Sequence, residues 1–515
     1  MNQHPFRCQK PVSFVHAMIV VALTVGAARF TTAGDWPQIL GPHRDGQAVG
    51  ESIEAWKTPP AIRWRVTCGA GYSGVAVAKD HVFLWHRERD SELLDCLSSA
   101  DGRRVWRAEF PAVYRGGVDA DRGPRSVPLV TDERVFVYGA AGDLHAVSTT
   151  QGKPLWSRQL RSDYDADDGY FGAAGSPLLV GQSLIVPVGG ERNAGLVAVD
   201  VRDGKTQWTA VNQEAAYASP ITMEINGETR VVAVLRLKIV LLDPASGEVL
   251  SELEFGKRGP TVNAATPLVR QNELFVTAAY GVGCRMLDMS ANPPSDLWNS
   301  RDVISSQYAT PVRIGESLFA ITGREDYGTG ELLCARWADG TVNWNQPGFG
   351  TAHLIGAGER VLAQSVGGRL VLFAAESNEF LSLAEAELPA GIYRSLPAFA
   401  ARDRAEVASQ LGKSDFTDTG VNFETSSDCH GSSPAIERSR RIVWPAAIRR
   451  GPRAMICEPQ EREGSQSGNE SYEAPRRSVP ERPPALCSGD VRRNRELFHS
   501  PDRSAAVQFQ RCGAK

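Results

Sequence analysis

Residues 198–208 read AVDVRDGKTQW. A small apolar pair leads to Asp200, a turn follows, Gly204 closes it, and Trp208 comes four positions later. Alone, this is one turn between two strands. It has copies. CLSSADGRRVW ends at Trp106, AVSTTQGKPLW at Trp156 and CARWADGTVNW at Trp344, each with Gly four residues before Trp, at Gly102, Gly152 and Gly340. Weaker copies fill the interval. LLDPASGEVLS keeps Gly247 but puts Ser251 where Trp stands elsewhere, and MLDMSANPPSDLW keeps Trp298 with two extra residues in its turn. LFAAESNEFLS ends at Ser382, and IRWRV places Trp64 in the same context without the preceding turn. The end positions are 64, 106, 156, 208, 251, 298, 344 and 382. A period of roughly 40–50 residues marks repeat units that cannot bury their apolar faces alone.

The segments between the copies decide for strands. Ahead of Trp156 stand SVPLVT, RVFVYG and DLHAVS; ahead of Trp208, SPLLV, SLIVPVG and GLVAVD; ahead of Trp344, TPVRI, SLFAITG and ELLCARW. These short runs are rich in Val, Leu, Ile and Phe and are bounded by Gly, Asp and Asn, which is strand patterning. A fourth strand starts near each Trp, and no amphipathic helix interrupts the series. The expected fold is all-β, a β-propeller of four-stranded antiparallel blades. Asp-Gly and Ser-Gly supply the left-handed position between the third and fourth strands. The Trp is large enough to wedge between neighbouring sheets. Eight Trp-type positions argue for eight blades, with seven as the alternative.

AVDVRDGKTQW resembles the repeat Ala-x-Asp-x-x-Thr-Gly-x-x-x-Trp of the quinoprotein, or PQQ-type, propellers, with Asp203 in place of Thr. DWPQILGPHRDG at 35–46 and GPRSVP at 123–128 are similar to other pieces of that family. The resemblance covers roughly residues 35–400. It implies kinship with the bacterial outer-membrane assembly propeller scaffolds, and more distantly with quinoprotein and polyvinyl-alcohol dehydrogenases. The repeat is specific for the fold and weak for chemistry, since one fold hosts many functions.

The chain has 515 residues, Lys and Arg number 56 against 60 Asp and Glu, and the net charge is −4. That balance gives no basic face for phosphate binding and argues against a nucleic-acid partner. At the start, Arg7 and Lys10 precede the apolar run FVHAMIVVALTVGAA, and small residues follow at Val25-Gly26-Ala27 and Thr31-Thr32-Ala33. This is signal-peptide anatomy over residues 1–33, with an uncleaved anchor as the rival. The expected location is periplasmic or secreted, in a bacterium, with no membrane span after cleavage. Residues 34–400 form the repeat region. Residues 401–515 contain 17 Arg, 2 Lys and 14 Ser. That tail lacks hydrophobic periodicity and reads as disordered. The last blade, begun by YRSLPAFA, is therefore expected to be incomplete. Of nine cysteines, Cys68, Cys96, Cys284 and Cys334 lie far apart in the repeats and read as small buried hydrophobes.

Each first strand begins with a similar element: GYSG at 71, RSVP at 125, GSP at 175, YASP at 217, AATP at 264, YATP at 308 and RSLP at 394. First strands line a propeller's central channel, so these elements ring one mouth of it. The cofactor-binding candidates are Arg125, Arg394, Ser126, Ser176, Ser219, Thr266 and Thr310, within a ring that also holds Tyr72, Ser73, Tyr217, Asn263, Tyr308 and Ser395. Hydroxyls and two Arg in a ring suit a small polyanion such as a quinone tricarboxylate. The competing reading is that Ser/Thr-Pro starts a strand and caps its own backbone. DYDADDG offers Asp163, Asp165 and Asp167 as metal candidates, yet Gly169 falls at loop position 7 and Ala174 at position 12, against the calcium-loop pattern.

Three functions compete: a non-catalytic scaffold for an envelope or secreted protein, a PQQ-dependent dehydrogenase, and a polymer- or carbohydrate-binding module. The dehydrogenase chemistry, as the resemblance implies it, needs PQQ stacked in the channel, calcium and a carboxylate base. No adjacent Cys pair of the kind common in those enzymes is present. No cofactor is assigned. The absence of a nameable acid–base pair favours the scaffold.

Overall fold

The computed structural model describes residues 34–401 and the backbone of three later strands, Ala405–Ala408, Val421–Thr425 and Arg440–Trp444. The expected signal segment and the remainder of the tail lie outside the described residues. Between residues 76 and 387 the chain forms seven consecutive four-stranded antiparallel meanders. The third, holding residues 198–208, runs Leu178–Val180, Ser183–Gly190, Ala194–Asp200 and Thr206–Ala210. The seventh is mixed: Gln47–Ala48 adds to Ala352–Ala357 in parallel.

Why these residues make this shape is visible at each third turn. Gly102, Gly152, Gly204, Gly247 and Gly340 all have φ between +68° and +74°, a region that costs glycine little and other residues more. Each glycine N–H closes on the carbonyl four residues back, as Gly204 does on Asp200 at 2.8 Å. In all seven meanders the register of the outer strand shifts just after this turn, as between Ala198 and Val199. Such a bulge sharpens the local twist.

The tryptophan of one unit docks on the turn of the next. Trp156 packs on Gly204 and donates its indole N–H to Val201 O at 3.0 Å; Trp208 does the same with Gly247 and Pro244 O. Trp64, Trp106 and Trp298 repeat the arrangement on Gly102, Gly152 and Gly340. A Cβ on Gly102, Gly204, Gly247 or Gly340 would lie 2.6 or 2.7 Å from the indole. The predicted wedge is therefore a specific Trp-on-Gly contact with one hydrogen bond.

Second and third strands are buried, while outer strands alternate with solvent. Apolar cores lie between successive meanders: first with second, second with third, and onward to sixth with seventh. Another core joins the seventh to the first through Phe399, Trp56 and Trp64. Cys68, Cys96, Cys284 and Cys334 are buried and in no disulfide, as expected.

Two expectations need correction. The inner strand Ala352–Ala357 starts without any Ser/Thr-Pro element, so the list of such elements skipped one unit. The strand pattern also does not stop at Ala400: Ala398–Ala401 pairs with Ala405–Ala408, and Val421–Thr425 pairs with both Arg440–Trp444 and Ala61–Ile62. Among the described residues no helix is long and apolar enough to cross a membrane.

Candidate functional site

The strand-start hydroxyls are consumed by the fold. Ser176 Oγ accepts the Val127 N–H at 2.9 Å, Ser219 Oγ accepts the Ser176 N–H at 2.8 Å, and Thr310 Oγ1 accepts the Thr266 N–H at 2.9 Å. Each unit's hydroxyl thus caps the backbone of the unit before it. Ser126 lies 3.4 Å from Ser176 Oγ, and none of Ser126, Ser176, Ser219, Thr266 and Thr310 is more than 5 % exposed. Backbone capping describes Ser176, Ser219 and Thr310, each on a neighbouring unit rather than on its own backbone, while Ser126 bonds a hydroxyl.

The two arginines meet at one mouth, and neither is free there. Arg394 faces Glu325, with Nε 2.9 and 3.0 Å from the two carboxylate oxygens and Nη2 at 2.8 Å. Its Nη1 donates to Tyr72 Oη at 3.1 Å and lies 3.6 Å from Asp119. Tyr308 donates to Glu325 at 2.7 Å. His353 bonds Arg394 O through Nε2 at 2.7 Å. Arg125 donates to Asp121 O at 2.7 Å and to Gly123 O, and lies 5.8 and 5.7 Å over the rings of Tyr72 and Tyr114. Asp121 is fixed in turn by the Gly71 and Gly123 N–H groups.

Electrostatics hold Arg394, Tyr308 and Tyr72 in their protonated forms. Burial works against the Arg394 charge, but the Glu325 hydrogen bonds and charge outweigh it and hold the guanidinium firmly protonated. Burial and then Glu325 push the Tyr308 phenol far up, and burial with Asp121 and Asp119 pushes Tyr72 up to about 12. None of these phenols titrates near neutrality. The cluster offers hydrogen-bonding groups suited to polar recognition.

Below it, residues 35–48 run across the inner strands. Trp36 exchanges backbone hydrogen bonds with Val77, and Pro37 O accepts from Val130 N. Arg44, 3 % exposed, donates to Pro220 O at 2.7 Å, to Ser176 O at 3.3 Å and to Pro177 O. Burial lowers its pKa to about 9. Gly46 lies against Val312, and its carbonyl accepts from Gly356 N. One short segment thus bonds or packs to the inner strands of the first, second, sixth and seventh meanders and to the approaches of the third and fourth.

Asp163, Asp165 and Asp167 are not drawn together. Asp163 pairs with Arg158 at 2.8 Å and Asp165 with Arg192 at 2.5 Å. Among the described residues no group of three or more His, Cys, Asp or Glu is placed to hold a metal ion. The fit to PQQ and calcium fails on the same grounds: the candidate arginines are engaged, no metal-holding carboxylate set converges among the described residues, and residues 35–48 line the inner strands. Sequence reasoning missed Asp119, Asp121, Glu325 and Arg44. They sit in loops outside the repeat, where no period points to them.

The model of the family described as outer membrane protein assembly factor BamB matches residues 51–208 and 89–346, more than half the chain in union. No curated protein matches the chain in sequence. Among solved structures, the quinohemoprotein alcohol dehydrogenase from Comamonas testosteroni is similar at a TM-score of 0.57 and 14% identity, covering 76% of this chain and 77% of its own. A europium-containing methanol dehydrogenase is similar at 0.55 and 11%, covering 76% and 90%. BamB from Moraxella catarrhalis matches at 0.48 and 13%, covering 68% and 92%. At such identities the likeness speaks to fold alone.

Proposed function

The chain belongs to the PQQ-like repeat β-propeller family described as outer membrane protein assembly factor BamB, and from that membership we propose that it is a non-catalytic binding scaffold of the bacterial cell envelope, periplasmic or secreted. The observation that carries the reading is the inner wall. Residues 35–48 bond to and pack against the inner strands, and Arg44 is spent on backbone carbonyls there. Arg125 and Arg394 are also paired internally, so neither of these two candidate cations is free for a tricarboxylate. The partner class is an envelope or secreted protein, met by the loop face around Tyr72 and Arg394. A polymer-binding role would need exposed Trp, and the repeat Trp are committed to sheet docking.

The same reading takes the propeller as eight-bladed. Ala398–Ala401 opens an eighth unit, and Ala61–Ile62 serves as its outer strand by pairing with Val421–Thr425. Trp64 supports this. It docks on Gly102 of the first meander as every other repeat Trp docks on its successor.

The test is a titration of the full chain with PQQ and calcium, followed by dye-linked alcohol oxidation. A scaffold gives no saturable binding and no turnover while its β-sheet signal stays intact. Micromolar binding with turnover would replace this reading by the dehydrogenase.

A further inference from the structure

A cavity of about 330 Å³ opens between the third and fourth meanders. Its wall includes Arg161, Tyr217, Arg236 and Arg258, with Asp167 and Glu214 among the other lining residues. None of this follows from the repeat, and the scaffold reading makes no use of it.

Arg161 is the unusual member. Its side chain is 8% exposed, and its stem lies on Gly142. Its Nε and Nη1 are buried and have no hydrogen-bond partner. Asp168, itself largely in solvent, is 3.6 Å from Nη1, and the buried Tyr138 hydroxyl lies beside the guanidinium within the core. A buried charged donor left without an acceptor costs roughly 1–3 kcal/mol or more. A fold keeps such a group cheaply only where something else supplies the acceptor.

The neighbours fit that role. Tyr217 Oη accepts the N–H groups of Tyr170 and Phe171 at 2.9 and 3.1 Å, which leaves its own proton to donate. Arg236 is held by Lys257 O, Thr261 Oγ1 and Gly259 O, so it adds positive charge without moving. Arg258 is exposed and forms no ion pair among the described residues. A guanidinium presents paired N–H groups in a fork that matches two oxygens of a carboxylate or phosphate. The volume suits a small molecule at the lower end of ligand pockets, which span roughly 300–1,000 Å³.

We propose that this cavity binds a small oxyanion-bearing molecule, its carboxylate or phosphate group seated on Arg161 and Tyr217. The test is thermal unfolding of the full chain, with chloride replaced stepwise by acetate or by inorganic phosphate at constant ionic strength. The expected result is a saturable rise in midpoint with at least one ion, since a ligand that binds only the folded state stabilises it. Acetate marks a carboxylate ligand and phosphate a phosphate ester. Arg161→Met abolishes the rise and, in chloride, unfolds no earlier than the wild type. Arg258→Gln, at an exposed position, keeps the wild-type midpoint in chloride and weakens the response about three- to tenfold, which carries the test if Arg161→Met fails to fold. Lack of any saturable response in the wild type, or an unchanged response in Arg258→Gln together with a retained one in Arg161→Met, overturns the proposal.

Discussion

Glu92 is 2% exposed on the first meander, and its Oε1 accepts the Ala140 N–H of the second at 2.9 Å. Burial raises its pKa from 4.5 to about 7, against the pull of that hydrogen bond. The sign of the linkage follows. Below about pH 4.5 the folded and unfolded carboxyls are both protonated and the site carries no penalty. Between pH 4.5 and 7 only the folded state keeps the proton, so stability falls as pH rises, by at most about 3 kcal/mol. Glu92→Gln keeps an acceptor for Ala140 and has no charge to bury. It is therefore predicted to be more stable than the wild type at pH 8, with the gap closing towards pH 4.5, as read by urea denaturation across that range. A gap that does not depend on pH would count against this titration. Residues of this kind were not legible in the sequence. Arg125 and Arg394 stood out because a turn does not need Arg, but their partners Asp119, Asp121 and Glu325 come from unrepeated loops. Ser176 and Ser219 were legible as capping residues, but they cap the backbone of the preceding unit rather than their own, and Ser126 bonds the Ser176 hydroxyl.

The Trp-on-Gly contact sets the behaviour of the elements. It was legible as a repeat because it needs two residue types at fixed spacing, although the sequence could not tell that the Trp of one unit meets the Gly of the next. One departure from it makes sense once that is known. The fourth meander carries Ser251 in place of Trp, and the turn it faces in the fifth, residues 288–294, has no glycine. Both halves of one contact are missing together. Asp288 instead holds that turn through Ser290 N at 2.9 Å and Ser290 Oγ at 2.6 Å. Trp208→Ala removes a buried ring and an indole hydrogen bond, and is predicted to cost about 3–5 kcal/mol in urea denaturation. Ser251→Trp restores only one half and is predicted to bring no gain. Trp344 does dock on a turn without glycine, through Glu376 O at 3.0 Å, so a clear rise in the midpoint would show that the fifth meander's turn can serve in the same way.

At the scale of the molecule, period and turn chemistry made the meanders readable, since each unit repeats the same local solution. Closure was not readable. IRWRV lacks the turn that precedes the other Trp, and Ala61–Ile62 at its start pairs instead with Val421–Thr425 from the far end of the chain. DWPQILGPHRDG carries no periodicity at all, so its path across the inner strands had no signature in the sequence. That path is the centre of the functional account. The most direct test is hydrogen exchange, read by mass spectrometry on peptides covering residues 35–48 of the full chain, with and without PQQ and calcium. The Trp36, Gly41, Arg44 and Gly46 amides donate to Val77 O, Gln38 O, Gly41 O and Leu40 O, so they should exchange as slowly as the buried strand Ser183–Gly190, and the additions should leave them unchanged. Exchange at the rate of unstructured chain, or a change in protection when PQQ and calcium are added, would contradict a propeller whose inner wall is lined by its own N-terminal segment.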